Sequence, residues 1–426
     1  MTWYTSGQYI CFRRYEPGLW QRPNEGALLS ALTSVRVRIA AVGAAIVLLL
    51  VTGITVALNH ATGQPAGAAT PPAGPTTQAV AVPLSVVSVT PAGHSRGVNG
   101  ASPIVIHFST PLAADSPMPS VQPRVRGSWQ GGGTDTLQFV PRGSFRQDTK
   151  VTVTIPGGTQ GVQSAHGALL VHTAKIHFTT GDYQPQRLVQ LLAQLGYLPL
   201  NWTPAPGVIS PAATDTAGQI RAAYSPPAGQ YTWQSGYPSE LHTFWQHGSL
   251  TSLIVKGAVM AFEADHAMTM DGQVGPLVWQ TLLRAVHAGQ NDTHGYTYAI
   301  ARESNPETLT IWHNGEIVQH SRANTGISVA PTTLGTAPVY LRYRNQIMRG
   351  RNPDGTKYAD PVQYVAYFRS GEAVHYFPRS TYGWPQSLGC VELNLTDAAH
   401  AWPYLTFGSL VTVAPGSLTP SASPHG

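Results

Sequence analysis

The chain has 426 residues, which is too long for one hydrophobic core and suggests about three domains at roughly 150 residues each. Only 11% of the residues are charged, and 43 glycines with 35 prolines favour short strands and many turns over long solvated helices. The net charge of +5 comes from scattered basic residues without a Lys/Arg run. No groove-reading or RNA-binding motif accompanies this charge, so nucleic acid is not an expected partner.

An uncharged apolar run extends from Ile39 to Leu58, and its 20 residues match the roughly 20 that a helix needs to cross a bilayer. Five arginines precede the run and the first basic residue after it is Arg96, so the positive-inside rule places residues 1–38 in the cytoplasm as a tail. A cleaved signal peptide usually has a shorter apolar region, of roughly 7–15 residues. The sequence therefore predicts a single-pass cell-membrane protein whose residues after Asn59 are extracellular.

Residues 59–83 consist mainly of Ala, Pro, Thr and Gly, a composition that predicts an extended linker. Residues 84–182 then contain five short alternating runs, SVVSVTP, PIVIHFSTPL, DTLQFVP, KVTVTIP and KIHFTT, separated by turn residues. This spacing predicts a small β-sandwich. The segment resembles bacterial Ig-like domains, with Gly127–Trp129 as a G-x-W element, and the resemblance implies a spacer function.

Helical spacing of apolar residues begins at Arg187 and predicts a helix that ends at Gly196. Further on, AFEADHAMTMDGQVGPLVWQTL resembles the peptidoglycan-binding helical repeat, so residues 187–287 are predicted to form a small α-helical domain of that kind. An insertion of roughly residues 200–246 carries Trp233, Tyr237 and Trp245, which are candidates for stacking on glycan sugars. Phe262 and Trp279 of the motif are equally well explained as core residues.

Strand-forming sequence returns in residues 295–415 and predicts a mostly-β domain, followed by a tail at residues 416–426. Asn314–Gly315 lies between two apolar runs and predicts a hairpin turn. The predicted fold class is therefore multidomain: a transmembrane helix, an Ig-like β-sandwich, a small helical domain and a C-terminal mostly-β domain.

The chemistry lies in AVHYFPRSTYGWPQSLGCVELN, where His375 ends a strand and Ser387-Leu388-Gly389-Cys390 follows after a short loop. A thiol attacks an amide carbonyl as the thiolate, so it needs a neighbouring base and N–H donors for the oxyanion. Gly389 permits an unusual φ and a close approach of substrate to the main chain. We therefore predict Cys390 as the nucleophile and His375 as the base.

This domain resembles the L,D-transpeptidase catalytic domain, whose pattern is a strand His followed by S/T-x-G-C-[V/I]-[R/N], and NTGISVAPTTLGTAPVYL fits its TG…TPxG segment. The resemblance implies a cysteine-dependent acyltransferase of the cell wall, acting on peptidoglycan stem peptides, without a cofactor, and inhibited by carbapenem β-lactams. Ser387 and Gly389 complete the predicted catalytic set. The residues predicted to contact substrate are Tyr364, Tyr382, Trp384, Leu388 and Glu392.

Three features depart from the pattern of this family. Only 11 residues separate His375 from Ser387, and Leu388 replaces the usual His or Lys. Glu392 stands where Arg or Asn is usual, and a carboxylate beside the thiolate would disfavour ionisation of the thiol.

Other chemistries fit less well. Sixteen histidines are present, but no H-E-x-x-H or Cys/His cluster supports a metal site, and no G-x-S-x-G supports a serine triad. Two alternatives remain open: an L,D-carboxypeptidase, which transfers the acyl group to water, and a catalytically weak peptidoglycan-binding protein.

Overall fold

The computed structural model describes residues 83–246 and 249–416, which fold into 18 strands and six helices. These residues belong to one compact unit. The predicted tail at 1–38, the predicted helix at 39–58, almost all of the linker at 59–83 and all but the first residue of the tail at 416–426 lie outside them.

The first domain is a β-sandwich, as the alternating runs predicted. Its strands are β1 Val86–Thr90, β2 Ile104–Phe108, β3 Ser120–Gln122, β4 Gly127–Gln130, β5 Thr136–Pro141, β6 Lys150–Ile155 and β7 Ala174–Thr179. One sheet has the order β1-β2-β5-β4 and the other β3-β6-β7. Alternate residues such as Ile104 and Ile106, or Val151 and Val153, are fully buried between the sheets because every second side chain of a strand points to the same face.

The second region is mainly helical. It contains α1 Pro185–Gln194, β8 Leu200–Pro204, α2 Thr216–Tyr224, β9 Gly229–Trp233, α3 Ser239–His242, α4 Leu253–Asp265 and α5 Pro276–Ala288. Helix α1 ends as predicted, since Gly196 follows with a positive φ of 91°. The insertion supplies the antiparallel strand pair β8–β9 and the helices α2 and α3, which the sequence pattern did not predict.

The aromatic residues of this region are used in packing. Phe262 and Trp279 are buried in the core. Trp233 stacks on the His242 ring at 4.0 Å, and Trp245 meets Tyr231 edge-on at 5.1 Å. The side chain of Tyr237 is buried and its hydroxyl donates to the carbonyl of Tyr296 at 2.9 Å. The inserted aromatics thus stabilise the domain, and peptidoglycan binding by residues 187–287 stays a prediction.

The C-terminal region contains two sheets. Its elements are β10 Thr297–Glu303, β11 Thr308–His313, β12 Glu316–Arg322, β13 Gly335–Pro338, β14 Leu341–Arg351, β15 Lys357–Arg369, β16 Glu372–Tyr376, β17 Val391–Leu393, α6 Leu395–Ala401 and β18 Leu410–Pro415. The first sheet has the order β12-β11-β10-β18-β13 and the second β14-β15-β16-β17. Asn314 and Gly315 both have positive φ at the turn between β11 and β12, which confirms the predicted hairpin.

Alternation along β10 divides the region into layers. Tyr298 and Ile300 pack with the helices in one core, whereas Ala299 and Ala301 pack against the second sheet in another. Val374 on β16 belongs to that second core. The opposite face of β16 is therefore directed away from the first sheet.

The predicted fold class is corrected at its N-terminus. The longest helices of the described residues, α4 and α5, have 13 residues each, about 20 Å at 1.5 Å per residue, against a hydrocarbon core of about 30 Å. Within the part of the chain that the structure describes, no helix is long and apolar enough to cross a membrane. The prediction of a transmembrane helix at Ile39–Leu58, and of the single-pass membrane localisation that depends on it, is not supported by this finding; residues 39–58 themselves lie outside the described part.

Candidate active site

His375 and Cys390 are carried by two adjacent parallel strands. In the β16–β17 register, Val374 lies opposite Val391 and His375 lies opposite Glu392. Cys390 directly precedes β17, so alternation places its side chain on the same face as Glu392 and His375. The packing agrees, because Val374 and Val391 belong to the inner core whereas Cys390 packs in a separate outer cluster. The structure thus brings the predicted nucleophile and base to one face.

The hydrogen bond made by His375 fixes the position of its ring proton. Its Nδ1 lies 2.9 Å from the carbonyl oxygen of Tyr376, and a carbonyl can only accept, so Nδ1 carries the proton and Nε2 keeps its lone pair. Burial lowers the pKa of His375, with a smaller lowering by the Arg379 charge, while Glu392 and the Tyr376 carbonyl act in the raising direction. The imidazole is therefore neutral near pH 7 and can accept a proton at Nε2.

Cys390 is buried at the edge of an apolar cluster. Its side chain is 2% exposed and packs with Met348, Val362 and Phe377. Its Sγ lies 3.8 Å from the carbonyl oxygen of Gly371. The β14–β15 hairpin contributes Met348 and Val362 to this cluster.

A tight turn presents Cys390. Ser387 Oγ donates to the carbonyl of Cys390 at 2.6 Å and accepts from the N–H of Gly389 at 3.2 Å, so its hydroxyl closes the turn. Gly389 has φ 112°, a conformation that favours glycine. Because the Gly389 amide is engaged by Ser387, the amides of Leu388 and Cys390 are the better candidates for an oxyanion site.

Glu392 is held by Arg379, which the sequence analysis did not single out. Arg379 Nε lies 2.8 Å from Glu392 Oε2 and Nη2 lies 2.9 Å from Oε1. The two side chains are 9% and 4% exposed. The carboxylate therefore points into the site region but is neutralised by a bidentate partner.

A second layer supports the turn. Asn324 exchanges two backbone hydrogen bonds with Glu392, and the carbonyl of Thr325 accepts from the N–H of Ser387 at 2.9 Å. Thr325 in turn donates its N–H and hydroxyl to the buried Glu307 carboxylate. Thr325 lies in the NTG string that the sequence singled out, whereas Glu307 has no local motif that would have revealed it.

The other predicted contact residues are placed differently. Leu388 is buried in the turn, and Tyr382 donates its hydroxyl to the carbonyl of Phe377 at 2.6 Å within the same loop. Trp384 is 45% exposed on that loop. Tyr364 packs instead against the inner core, and its hydroxyl accepts from Arg344 at 3.0 Å, so the structure does not bring it to Cys390.

One group among the described residues could hold a metal ion. Asp265, Asp292 and His294 place ligand atoms within 4.8 Å of one another beside a cavity of about 500 Å³. The hydroxyl of Tyr197 donates to Asp265 Oδ2, and His294 Nδ1 lies 3.2 Å from Asp265 Oδ1. Both carboxylate oxygens of Asp265 therefore already have polar neighbours within the protein. Neither His375 nor Cys390 lines this cavity.

Two protein-family models match parts of the chain. The family model of the L,D-transpeptidase catalytic domain (YkuD) matches residues 297–413, and that of the bacterial Ig-like domain (Big_5) matches residues 80–180. No curated protein matches the chain.

Solved structures similar to the chain include three L,D-transpeptidases. One from Mycobacterium smegmatis is 14% identical, with 78% of this chain and 99% of that chain covered and a TM-score of 0.26. L,D-transpeptidase 3 from Mycobacterium tuberculosis, in complex with a faropenem-derived adduct, is 15% identical, with 78% and 98% covered and a TM-score of 0.26. The catalytic domain from the E. faecium enzyme is 22% identical, with 28% and 95% covered and a TM-score of 0.26.

The matched range 297–413 contains both His375 and the turn Ser387–Cys390. Residues 297–413 of this chain are an L,D-transpeptidase catalytic domain of the YkuD family, preceded in the sequence by a bacterial Ig-like domain at residues 80–180.

Proposed function

We propose that the chain crosslinks peptidoglycan stem peptides through a thioester on Cys390. The observation that carries the proposal is the β16–β17 register, in which His375 and the Cys390 turn share one face. The neutral His375, with its lone pair on Nε2, supports a role as the base.

The reaction begins with Cys390 in the reduced form. His375 Nε2 accepts the thiol proton and Sγ attacks the L,D-linked carbonyl of a stem tetrapeptide, forming a C–S bond and an oxyanion. The N–H groups of Leu388 and Cys390 are the proposed donors to that oxyanion. The C–N bond then breaks, and His375 returns the proton to the leaving amine of D-alanine.

The second half-reaction reverses the roles. A side-chain amine of another stem attacks the thioester, His375 accepts a proton from that amine, and the C–S bond breaks. The thiolate recovers the proton from His375. Water in place of the amine would give the L,D-carboxypeptidase outcome, so the acceptor decides between the two activities.

Cys390→Ala is expected to abolish covalent acylation by a carbapenem, and His375→Ala to slow it by about 10²–10⁴-fold, because an unassisted thiol with a pKa of about 8.5 is mostly protonated at pH 7. Intact mass spectrometry of reduced protein measures the adduct. Cys11→Ala is a matched control, since the chain has two cysteines.

Acylation of the Cys390→Ala protein would contradict the proposed nucleophile. With a disaccharide-tetrapeptide as substrate, a crosslinked dimer would support transpeptidation, whereas a tripeptide product alone would identify a carboxypeptidase.

A further inference from the structure

The Arg379–Glu392 pair is a buried, hydrogen-bonded ion pair close to the Cys390 turn. Both carboxylate oxygens of Glu392 accept from Arg379, and Glu392 Oε2 also lies 3.4 Å from the side-chain amide of Asn324. Both members of the pair are almost fully buried. A buried pair of this geometry is neutral as a unit, but loss of one partner leaves an uncompensated charge.

This pair lies beside the proposed base. Glu392 is directly opposite His375 in the parallel register, on the same face. The carboxylate favours the imidazolium form of His375 and the guanidinium opposes it, so the two charges act in opposite directions on one imidazole. Removal of Arg379 alone would leave the Glu392 charge acting unopposed.

Arg379 also holds the loop between β16 and the nucleophile turn. Its Nη2 donates to the carbonyl of Gln386 at 2.8 Å, its backbone N–H donates to the hydroxyl of Tyr382 at 3.2 Å, and its guanidinium lies 4.7 Å from the Phe377 ring centroid. Phe377 begins this loop and Gln386 directly precedes Ser387. One side chain therefore joins both ends of the loop to β17.

We propose that Arg379 and Glu392 form one neutral positioning unit, which holds the 377–386 loop against β17 and keeps the Glu392 charge from acting on His375. Arg379 is a positioning residue here, since it acts through Glu392 and the loop. The activity part of this inference rests on the proposed function, whereas the charge part concerns His375 alone.

Other titratable groups face the pair from neighbouring elements. Asp360 on β15 interacts with both Arg379 and Glu392, and burial raises the pKa of Asp360. Tyr382 in the loop interacts with both as well, and burial raises its pKa. Because these groups are unchanged in the variants below, differences between variants report on the pair.

Four variants separate charge from geometry: Arg379→Gln, Arg379→Lys, Glu392→Gln and the double change Arg379→Gln/Glu392→Gln. We expect Arg379→Gln to raise the pKa of His375 and to slow carbapenem acylation at neutral pH by at least about tenfold, as expected for loss of one partner of a buried pair. The double variant removes both charges, so it should return the pKa of His375 towards the wild-type value and recover part of the rate. Arg379→Lys keeps the charge and should leave the pKa near wild type while lowering the rate, because one ammonium cannot reproduce the bidentate contact.

The full chain, reduced, is labelled with ¹³C-histidine, and the His375 signal is assigned by its loss in His375→Gln. Its titration needs no turnover, so it tests the charge part even if the enzyme assay fails. Arg284→Gln, at an exposed arginine of α5, is the matched control and should change neither the titration nor the rate. Thermal melting identifies a variant that fails to fold, in which case Arg379→Lys and Glu392→Gln carry the test.

A higher His375 pKa in Arg379→Gln that is reversed in the double variant would establish the charge role. An unchanged titration in every variant, or a double variant whose rate equals the product of the two single losses, would overturn it.

Discussion

The contact with Arg379 changes the electrostatic effect expected of the Glu392 carboxylate. A carboxylate next to Cys390, the proposed nucleophile, was expected to disfavour the thiolate. Its two oxygens instead accept from the Arg379 guanidinium at 2.8 and 2.9 Å, so the pair adds no net charge beside Cys390. The departure from the family pattern at position 392 is thus compensated by a residue 13 positions earlier in the chain.

The pKa of His375 predicts the acid side of the pH–rate profile. Burial lowers it below the ordinary value of 6.5, and a base must be unprotonated to act. The acylation rate should therefore stay constant as the pH falls towards 6.5 and decline only at lower pH. Single-turnover acylation measured from about pH 5 to about pH 8 tests this, and a midpoint at or above 6.5 would contradict the buried, neutral imidazole.

The lowered pKa of His375 also makes the folding stability depend on pH. The unfolded chain protonates this histidine near 6.5 whereas the folded chain keeps it neutral, so His375 lowers the folding stability as the pH falls below about 6.5. Comparison of wild type with His375→Gln by denaturant unfolding at several pH values isolates this contribution.

Among the secondary-structure elements, the sequence pattern predicted the strands whose buried and exposed side chains alternate every two residues. Every alternating run of the sandwich became a strand. His375 and Cys390 could be predicted as a pair because one short string contains both. Arg379 could not, because its partner is chosen by how the loop folds back. Tyr364 packs against the inner core because the β15–β16 register shifts between Gln363 and Ala366 and Tyr364 itself has φ 57°. A two-residue strand pattern does not reveal such a shift.

The turn Ser387–Cys390 depends on the left-handed backbone conformation of Gly389. Gly389→Ala places a Cβ at φ 112°, where strain costs about 1–3 kcal/mol, and relaxation would move Cys390 relative to His375. We expect a lower melting temperature and a loss of acylation of at least about tenfold. Gly355→Ala, at the tip of the β14–β15 hairpin, is the matched control, since its φ is 85° and nothing lies within 4 Å of an added Cβ. Equal acylation rates in the two variants would contradict the role of the turn.

At the scale of the whole molecule, the cores do not follow the predicted domain boundaries. The Ig-like sandwich has a core of its own, built from residues 84–178. The helical region and the catalytic region share one core, in which Tyr298, Ile300 and Leu410 of the catalytic sheet pack against the helices. Arg302 and Glu240 add an ion pair across the same boundary. The return of strand-forming sequence at residue 295 predicted a separate domain, but the apolar face of β10 packs against the helices.

This shared core predicts how the chain can be divided. A fragment of residues 182–416 should fold with a melting temperature close to that of residues 83–416, because the sandwich keeps its own core. A fragment of residues 295–416 would expose Tyr298, Ile300 and Leu410, which are at most 1% exposed in the intact structure. At about 1.5–3 kcal/mol for each large apolar side chain, the loss is roughly 5–9 kcal/mol, comparable to a typical unfolding free energy of about 5–15 kcal/mol. The shorter fragment should therefore be unfolded or aggregated by circular dichroism and light scattering. A cooperative melt of residues 295–416 at the temperature of the longer fragment would show that the helices are dispensable for the catalytic fold.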